Sequence, residues 1–175
     1  MKEIIDASGM KRALVRMTYE IIERNKGVND LVIVGIKTRG LFLANRLAAN
    51  FKRIENVDVP VGALDVSDYR DDLSKQEKKN LIHNQQLDFD ITDKKVVLVD
   101  DVLFTGRTIR AALDALMDQG RPATISLAVL VDRGHRELPV RPDFIGKNIP
   151  TAMNERIKVS MTEVDDQDSI NLVTK

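Results

Sequence analysis

The chain has 175 residues, and its 27 basic and 27 acidic side chains balance to a formal charge of zero, so no global attraction draws it to nucleic acid or a membrane surface. It has no cysteine and two histidines, which excludes thiol nucleophiles, disulfides and Cys- or His-cluster metal sites. The N-terminus lacks an apolar signal core and no run reaches membrane-spanning length, so the expectation is one soluble, cytoplasmic domain over residues 1–175.

From Ser8 to Gly27, apolar Met10, Ala13, Leu14, Met17, Ile21 and Ile22 recur at helical spacing, with Ser8 as the expected N-cap and Gly27 as the stop. Arg12, Arg16, Glu20 and Arg24 occupy the opposite, solvated face. Leu31 to Ile36 reads as a strand buried on both faces, and a helix is expected from about Leu41 to Phe51. Between them Lys37, Thr38, Arg39 and Gly40 place two cations beside a tight turn, a site for a highly charged anion such as diphosphate.

Val59 to Val66 predicts a third strand. The polar, weakly periodic stretch of about 67–90, with Tyr69 and Arg70, is longer than an ordinary connection. It reads as a surface loop or as a lid over a site.

The most informative stretch is Val96 to Thr108, V-V-L-V-D-D-V-L-F-T-G-R-T. Val96 to Val99 predicts another buried strand, and because adjacent Asp100 and Asp101 are costly to hide in a sheet, the chain is expected to surface there. Val102, Leu103 and Phe104 lead to Thr105, Gly106, Arg107 and Thr108, where backbone N–H groups and a helix N-terminus suit a phosphate. The carboxylate pair suits a ribose diol and can help hold a divalent cation. Taken singly, the acids and Thr105 also fit a solvated turn with an N-cap. In the helix that follows, Ile109, Ala112, Leu113, Leu116 and Met117 form the expected apolar face, with Gly120 and Pro122 ending it.

Thr124 to Val131 predicts a further buried strand. Alternating strands and helices define an α/β fold with a mainly parallel sheet flanked by helices. An irregular, proline-bearing cap is expected over about 132–155, and short strands at Val159 to Met161 and Ile170 to Leu172 flank an acidic turn, Asp165 to Asp168.

The string from Val96 to Thr108 resembles the phosphoribosyl-diphosphate (PRPP) motif of type I phosphoribosyltransferases. The segments at 35–40, 64–73, 99–116, 129–141 and 146–151, V-D-R-G-H-R-E-L-P above all, resemble the bacterial pyrimidine operon attenuators, also called bifunctional pyrimidine regulatory proteins and uracil phosphoribosyltransferases. The resemblance implies a type I phosphoribosyltransferase fold with a flexible lid and a small cap, or hood. It implies two activities: conversion of uracil and PRPP to UMP and diphosphate with Mg²⁺, and binding of pyrimidine operon leader RNA, responsive to UMP or UTP, to promote transcription termination. It implies a homodimer or a higher oligomer.

Carried over by position, the resemblance assigns Lys37 through Gly40 to diphosphate, Tyr69 and Arg70 to the lid, and Asp100 through Thr108 to the ribose 5-phosphate. Val131, Asp132 and Arg133 fall at the base, and Arg16, Arg24, His135, Arg136, Arg141 and Lys147 on an RNA-binding surface. Each of these basic residues also fits an ordinary surface ion pair. Val15 stands where the family commonly has threonine, and Tyr19 where it commonly has histidine. Two further readings stay open: a salvage phosphoribosyltransferase without RNA binding, and a non-catalytic nucleotide sensor.

Overall fold

A computed structural model of the protein describes residues 1–67 and 87–174. Most of the expected lid, with Tyr69 and Arg70, lies outside the described residues. Along the chain the elements are β1 (Lys2–Ile5), α1 (Ala7–Asn25), β2 (Leu31–Ile36), α2 (Arg39–Glu55), β3 (Val61–Leu64), β4 (Lys95–Leu103), α3 (Arg107–Met117), β5 (Thr124–Asp132), β6 (Phe144–Asn148), β7 (Glu155–Ser160), α4 (Thr162–Asp165) and β8 (Ser169–Thr174).

Five strands form the main sheet in the order β3-β2-β4-β5-β6, with every neighbouring pair parallel. A parallel sheet must be covered on both faces, and the side chains of β4 divide accordingly. Val97 and Val99 share a core with Met17 and Ile21 of α1 and Leu47 and Phe51 of α2, while Val96 and Leu98 pack with Ile109, Ala112 and Leu116 of α3. β1, β8 and β7 form a separate antiparallel sheet, whose Val159 and Ile170 join the α1/α2 core.

Several expectations change in the folded chain. Asp6, rather than Ser8, caps α1 by accepting the Gly9 N–H at 2.7 Å, because it stands where the extended chain turns into the helix. α2 begins at Arg39, so Arg39 and Gly40 belong to its first turn instead of to a preceding loop. Gly35 lets that turn lie on β2: a Cβ there would meet the Gly40 carbonyl oxygen at 2.5 Å and Leu41 N at 2.6 Å. In α3 the buried face is Ile109, Ala111, Ala112, Ala115 and Leu116, and Met117 is exposed. Alanine is small enough to approach the sheet closely, so the alanines carry the contact that spacing alone assigned to Met117.

The chain does not surface at Asp100. β4 continues to Leu103, with Asp100 opposite Val129 and Leu103 opposite Asp132. The span expected as the hood contributes β6, the fifth strand of the main sheet, whose sequence F-I-G-K-N alternates too weakly to read as a strand. The small sheet instead joins the N-terminal strand to residues beyond 155, pairing Lys2 with Leu172 and Ile157 with Leu172 from its two sides. Among the described residues no helix is long and apolar enough to cross a membrane.

Candidate active site

The carboxyl ends of β2, β4 and β5 meet at one edge of the main sheet, where an open parallel sheet offers its ligand crevice. β2 leads into Lys37-Thr38-Arg39-Gly40, with a cis peptide bond between Lys37 and Thr38. Lys37 and Thr38 are exposed and Arg39 is half-buried. Gly40 brings this turn against β4, since a Cβ at Gly40 would stand 2.5 Å from the Val99 carbonyl oxygen and 3.3 Å from Asp100 Cα. The two segments read separately in the sequence are therefore neighbours.

At the end of β4, Asp100 Oδ1 accepts the Asp101 N–H at 2.9 Å and Asp101 Oδ1 accepts the Val102 N–H at 2.8 Å. Asp100 is buried, and burial, reinforced by the negative charge of Asp101, pushes its carboxyl well above the usual carboxylate range. A buried acid with an acidic neighbour is poised to accept positive charge or hydroxyl donors. Among the described residues no group of three or more acids or histidines could hold a metal ion. Two adjacent carboxylates are oxygen donors of the kind that would complete the surroundings of a divalent cation brought by a substrate.

The loop after β4 is held from behind. The carbonyls of Leu103 and Thr105 accept N–H groups from the segment after β5: Arg133 donates to Leu103 at 3.2 Å, and Glu137 and Leu138 donate to Thr105 at 2.9 and 3.2 Å. Arg136 Nη1 donates to the Phe104 carbonyl at 3.3 Å. With its carbonyls engaged on that side, the loop reaches α3 through Gly106 at φ +95°, a conformation favouring glycine. Exposed Thr108 and Arg107 then form the first turn of α3. The Thr105 hydroxyl accepts the Arg107 N–H at 3.3 Å, so it also stabilises the loop itself.

At the end of β5, Val131 is buried and Asp132 accepts from Gly134 N at 3.0 Å and forms an ion pair with Arg136. Arg133 is buried, with its guanidinium 4.0 Å from the Phe104 ring centroid and donating to Thr151 Oγ1 and the Glu155 carbonyl. Burial draws its pKa downward. His135, at φ +65°, holds the Thr151 carbonyl through Nε2 at 2.6 Å and lies edge-on to Phe104.

The basic residues expected to meet RNA divide in two. Arg16 of α1 donates to the carbonyls of Ile145 and Gly146, and Arg24 pairs with Asp143 at 3.0 Å and lies over Phe144, so helix and β6 form one seam. Arg141 and Lys147 are exposed beside it. Arg136 differs: its guanidinium also donates to the Val140 carbonyl, so its fork braces the loop after β4.

The sequence assigns no role to Arg46 or Thr151, and it marks Asp165 only as the start of an acidic turn. Arg46 pairs with Glu163 and Asp168, both at 2.7 Å, and Asp165 pairs with Arg39 at 3.0 Å. The signal was the acidic run from Glu163 to Asp168, which had no partner visible in one dimension.

This crevice and sheet define a type I phosphoribosyltransferase, and the phosphoribosyl transferase domain model matches residues 1–163. The hypoxanthine phosphoribosyltransferase of Trypanosoma cruzi superposes with a TM-score of 0.76 at 18% identity, covering 99% of this chain and 97% of that one, a likeness of fold. Within that class the chain belongs to the family of proteins named Bifunctional protein PyrR. The protein of that name from Latilactobacillus sakei is 62% identical over 174 residues, covering 98% of this chain and 97% of its own length. Those from Ligilactobacillus salivarius and Listeria monocytogenes are 64% identical over 173 residues and 58% over 175, covering 98% of this chain and 97% and 96% of their own lengths.

Proposed function

We propose that the chain is a uracil phosphoribosyltransferase and a UMP- or UTP-responsive regulator that binds pyrimidine operon leader RNA and promotes transcription termination. The observation that carries the enzymatic half is the contact of Gly40 with the β4 backbone at Val99 and Asp100, which sets the turn at Lys37 to Gly40 beside the carboxylate pair at the end of β4. PRPP carries three matching groups: a diphosphate, a ribose diol and a 5-phosphate.

In the reaction N1 of uracil bonds to C1 of the ribose, the C1–O bond to diphosphate breaks, and the N1 proton leaves to water or to the departing diphosphate. Charge grows on the leaving group while the ribose becomes cationic. Lys37 and Arg39 meet the first change, and the Asp100 and Asp101 carboxylates face the second while accepting the ribose hydroxyls. The N–H groups from Thr105 to Thr108 hold the 5-phosphate at the start of α3. Val131, Asp132 and Arg133 border the base, and the family resemblance assigns Tyr69 and Arg70, which lie outside the described residues, to the diphosphate end. Asp100 and Asp101 would help hold a Mg²⁺ ion brought by PRPP, which would supply positive charge for the leaving diphosphate.

The RNA half is supported by the α1/β6 seam. An open pocket of about 570 Å³ lies between β1, α1 and β6, where Arg12, Arg16 and Lys147 stand with Glu3 and Asp6, and it has room for an unstacked base. Arg24 stands on the same seam through Asp143, and the family resemblance adds His135 and Arg141 to the RNA-binding residues. Tyr19 is 55% exposed on the same helix and offers a stacking face where the family commonly has histidine. The small sheet shares its core with α1 and α2, which supports the reading of residues 1–175 as a single domain. The family resemblance adds a homodimer and a cytoplasmic setting, where nascent mRNA and nucleotides meet.

The test is a titration with the pyrimidine operon leader RNA of the source organism at fixed salt, with and without UMP, alongside a panel of bases assayed with PRPP. RNA binding tightened by UMP and not by GMP, with turnover of uracil, is the expected result. Turnover without RNA binding reduces the protein to a salvage transferase. UMP-dependent RNA binding without turnover leaves a sensor.

A further inference from the structure

We propose that Asp165 is a positioning residue for the diphosphate end of the site, holding Arg39 in the attitude in which it meets the leaving group; this rests on the transferase reading above. Arg39 is the first residue of α2, and Asp165 closes the short turn α4 of the small sheet. Arg39 Nη2 donates to both carboxylate oxygens of Asp165 at 3.0 Å. Asp165 Oδ2 also accepts the Met161 N–H at 2.9 Å, which fixes the carboxylate on its own turn. The Met161 N–H, more than Arg39, holds the Asp165 carboxyl below the usual carboxylate range, so it is charged when it meets the guanidinium.

Arg46 shows what a purely structural arginine does on the same helix. Seven residues beyond Arg39, it lies two turns along the same face. It engages Glu163 through Nε and Nη2 and Asp168 through Nη1 and Nη2, and so clamps the acidic turn to α2. That clamp already seats the turn. Among the described residues, Arg39 hydrogen-bonds only through Nη2 to Asp165, and its buried Nε has no partner. The contact therefore leaves much of the Arg39 fork uncommitted while removing its freedom to swing. An arginine beside the exposed Lys37 that is aimed in advance loses less conformational freedom when diphosphate arrives. The small sheet thus reaches the diphosphate site through one side chain.

The experiment compares Asp165→Asn with Glu163→Gln, which loosens the Arg46 clamp and leaves Arg39 paired. Asp165→Asn is expected to raise the KM for PRPP and the inhibition constant of diphosphate roughly tenfold. In that variant kcat and UMP affinity stay within about twofold, and Glu163→Gln leaves all of these values within about twofold. Asp165→Glu recovers part of the loss. In an Arg39→Ala background Asp165→Asn has no further effect, because the residue it acts through is gone.

A KM for PRPP that falls in Asp165→Asn overturns the proposal, since Asp165 would then be masking Arg39. So does an equal loss of UMP affinity, the same behaviour in Glu163→Gln, or an effect that persists without Arg39. Should Asp165→Asn fail to fold, Asp165→Glu carries the test through a smaller rise in the KM for PRPP at constant UMP affinity, and an unmoved KM overturns the role. A wild-type chain that makes no UMP from PRPP ends the transferase reading and this role with it. Wild-type turnover with an unmoved Asp165→Asn ends this role alone.

Discussion

Gly40→Ala tests the joint on which the site depends. The added Cβ would stand 2.5 Å from the Val99 carbonyl oxygen and 3.3 Å from Asp100 Cα, and both neighbours are backbone atoms of a central strand that cannot rotate away. Ordinary contact begins near 3.4 Å, so the turn at Lys37 to Gly40 and the end of β4 must separate by nearly 1 Å. Overpacking of this kind costs about 1–3 kcal/mol, more than the roughly 1 kcal/mol that alanine gains over glycine in a helix interior and still less in its first turn. The unfolding temperature should fall by a few degrees for a chain of this size.

The larger effect of Gly40→Ala is on chemistry. A misplacement of about 1 Å between reacting groups can lower a rate about 100-fold, or about 2.7 kcal/mol of transition-state stabilisation. Steady-state kinetics with varied PRPP should show kcat/KM lower by about that factor. UMP has no diphosphate and uses only the β4 side of the joint, so its affinity in a calorimetric titration should fall by less than about fivefold. Wild-type kinetics with PRPP in a folded Gly40→Ala protein would refute the placement of the two loops as one site.

Asp100→Asn should abolish most UMP synthesis yet raise stability at pH 7 by about 0.5–2 kcal/mol, because it removes a buried charge beside Asp101; denaturant unfolding checks this. The folded-state pKa of Asp100 is raised, so its contribution to stability is greatest below the unfolded value near 3.8 and is lost as pH rises through the folded pKa; the variant should flatten that part of the pH profile. Arg46→Ala should destabilise the small sheet by about 2–3 kcal/mol, since Glu163 and Asp168 lose their shared partner. Arg46 chiefly holds Asp168 down at about 2, so that pair adds stability above pH 4 that disappears as pH falls towards 2. Acid unfolding of the wild type should show this as about 1 kcal/mol after solvent screening, and Arg46→Ala should lack it. Arg136→Gln should raise the UMP dissociation constant about tenfold by releasing the phosphate loop. Arg141→Ala should instead weaken RNA binding and lower its salt slope by about one while sparing UMP, which titrations at several salt concentrations would distinguish.

The sequence by itself determined the strands at the centre of the parallel sheet and the loops that follow them, because both are written locally. Leu31–Ile36 and Val96–Val99 are apolar runs that no other element accommodates as well, and the proposed ligand roles of K-T-R-G and D-D-V-L-F-T-G-R-T rest on consecutive residues. β6 was not legible, since F-I-G-K-N becomes a strand only when β5 supplies its ladder and Arg16 holds its carbonyls. β1 needed β8, some 165 residues away, as its partner. The distinction among the basic residues also belonged to the tertiary structure. Arg136, Arg141 and Lys147 read alike in one dimension, but a charge acquires its role from what the fold sets opposite it. The fold sets the Phe104 carbonyl and Asp132 against Arg136 while leaving Arg141 and Lys147 exposed, and it brings Asp165 across 126 residues to Arg39.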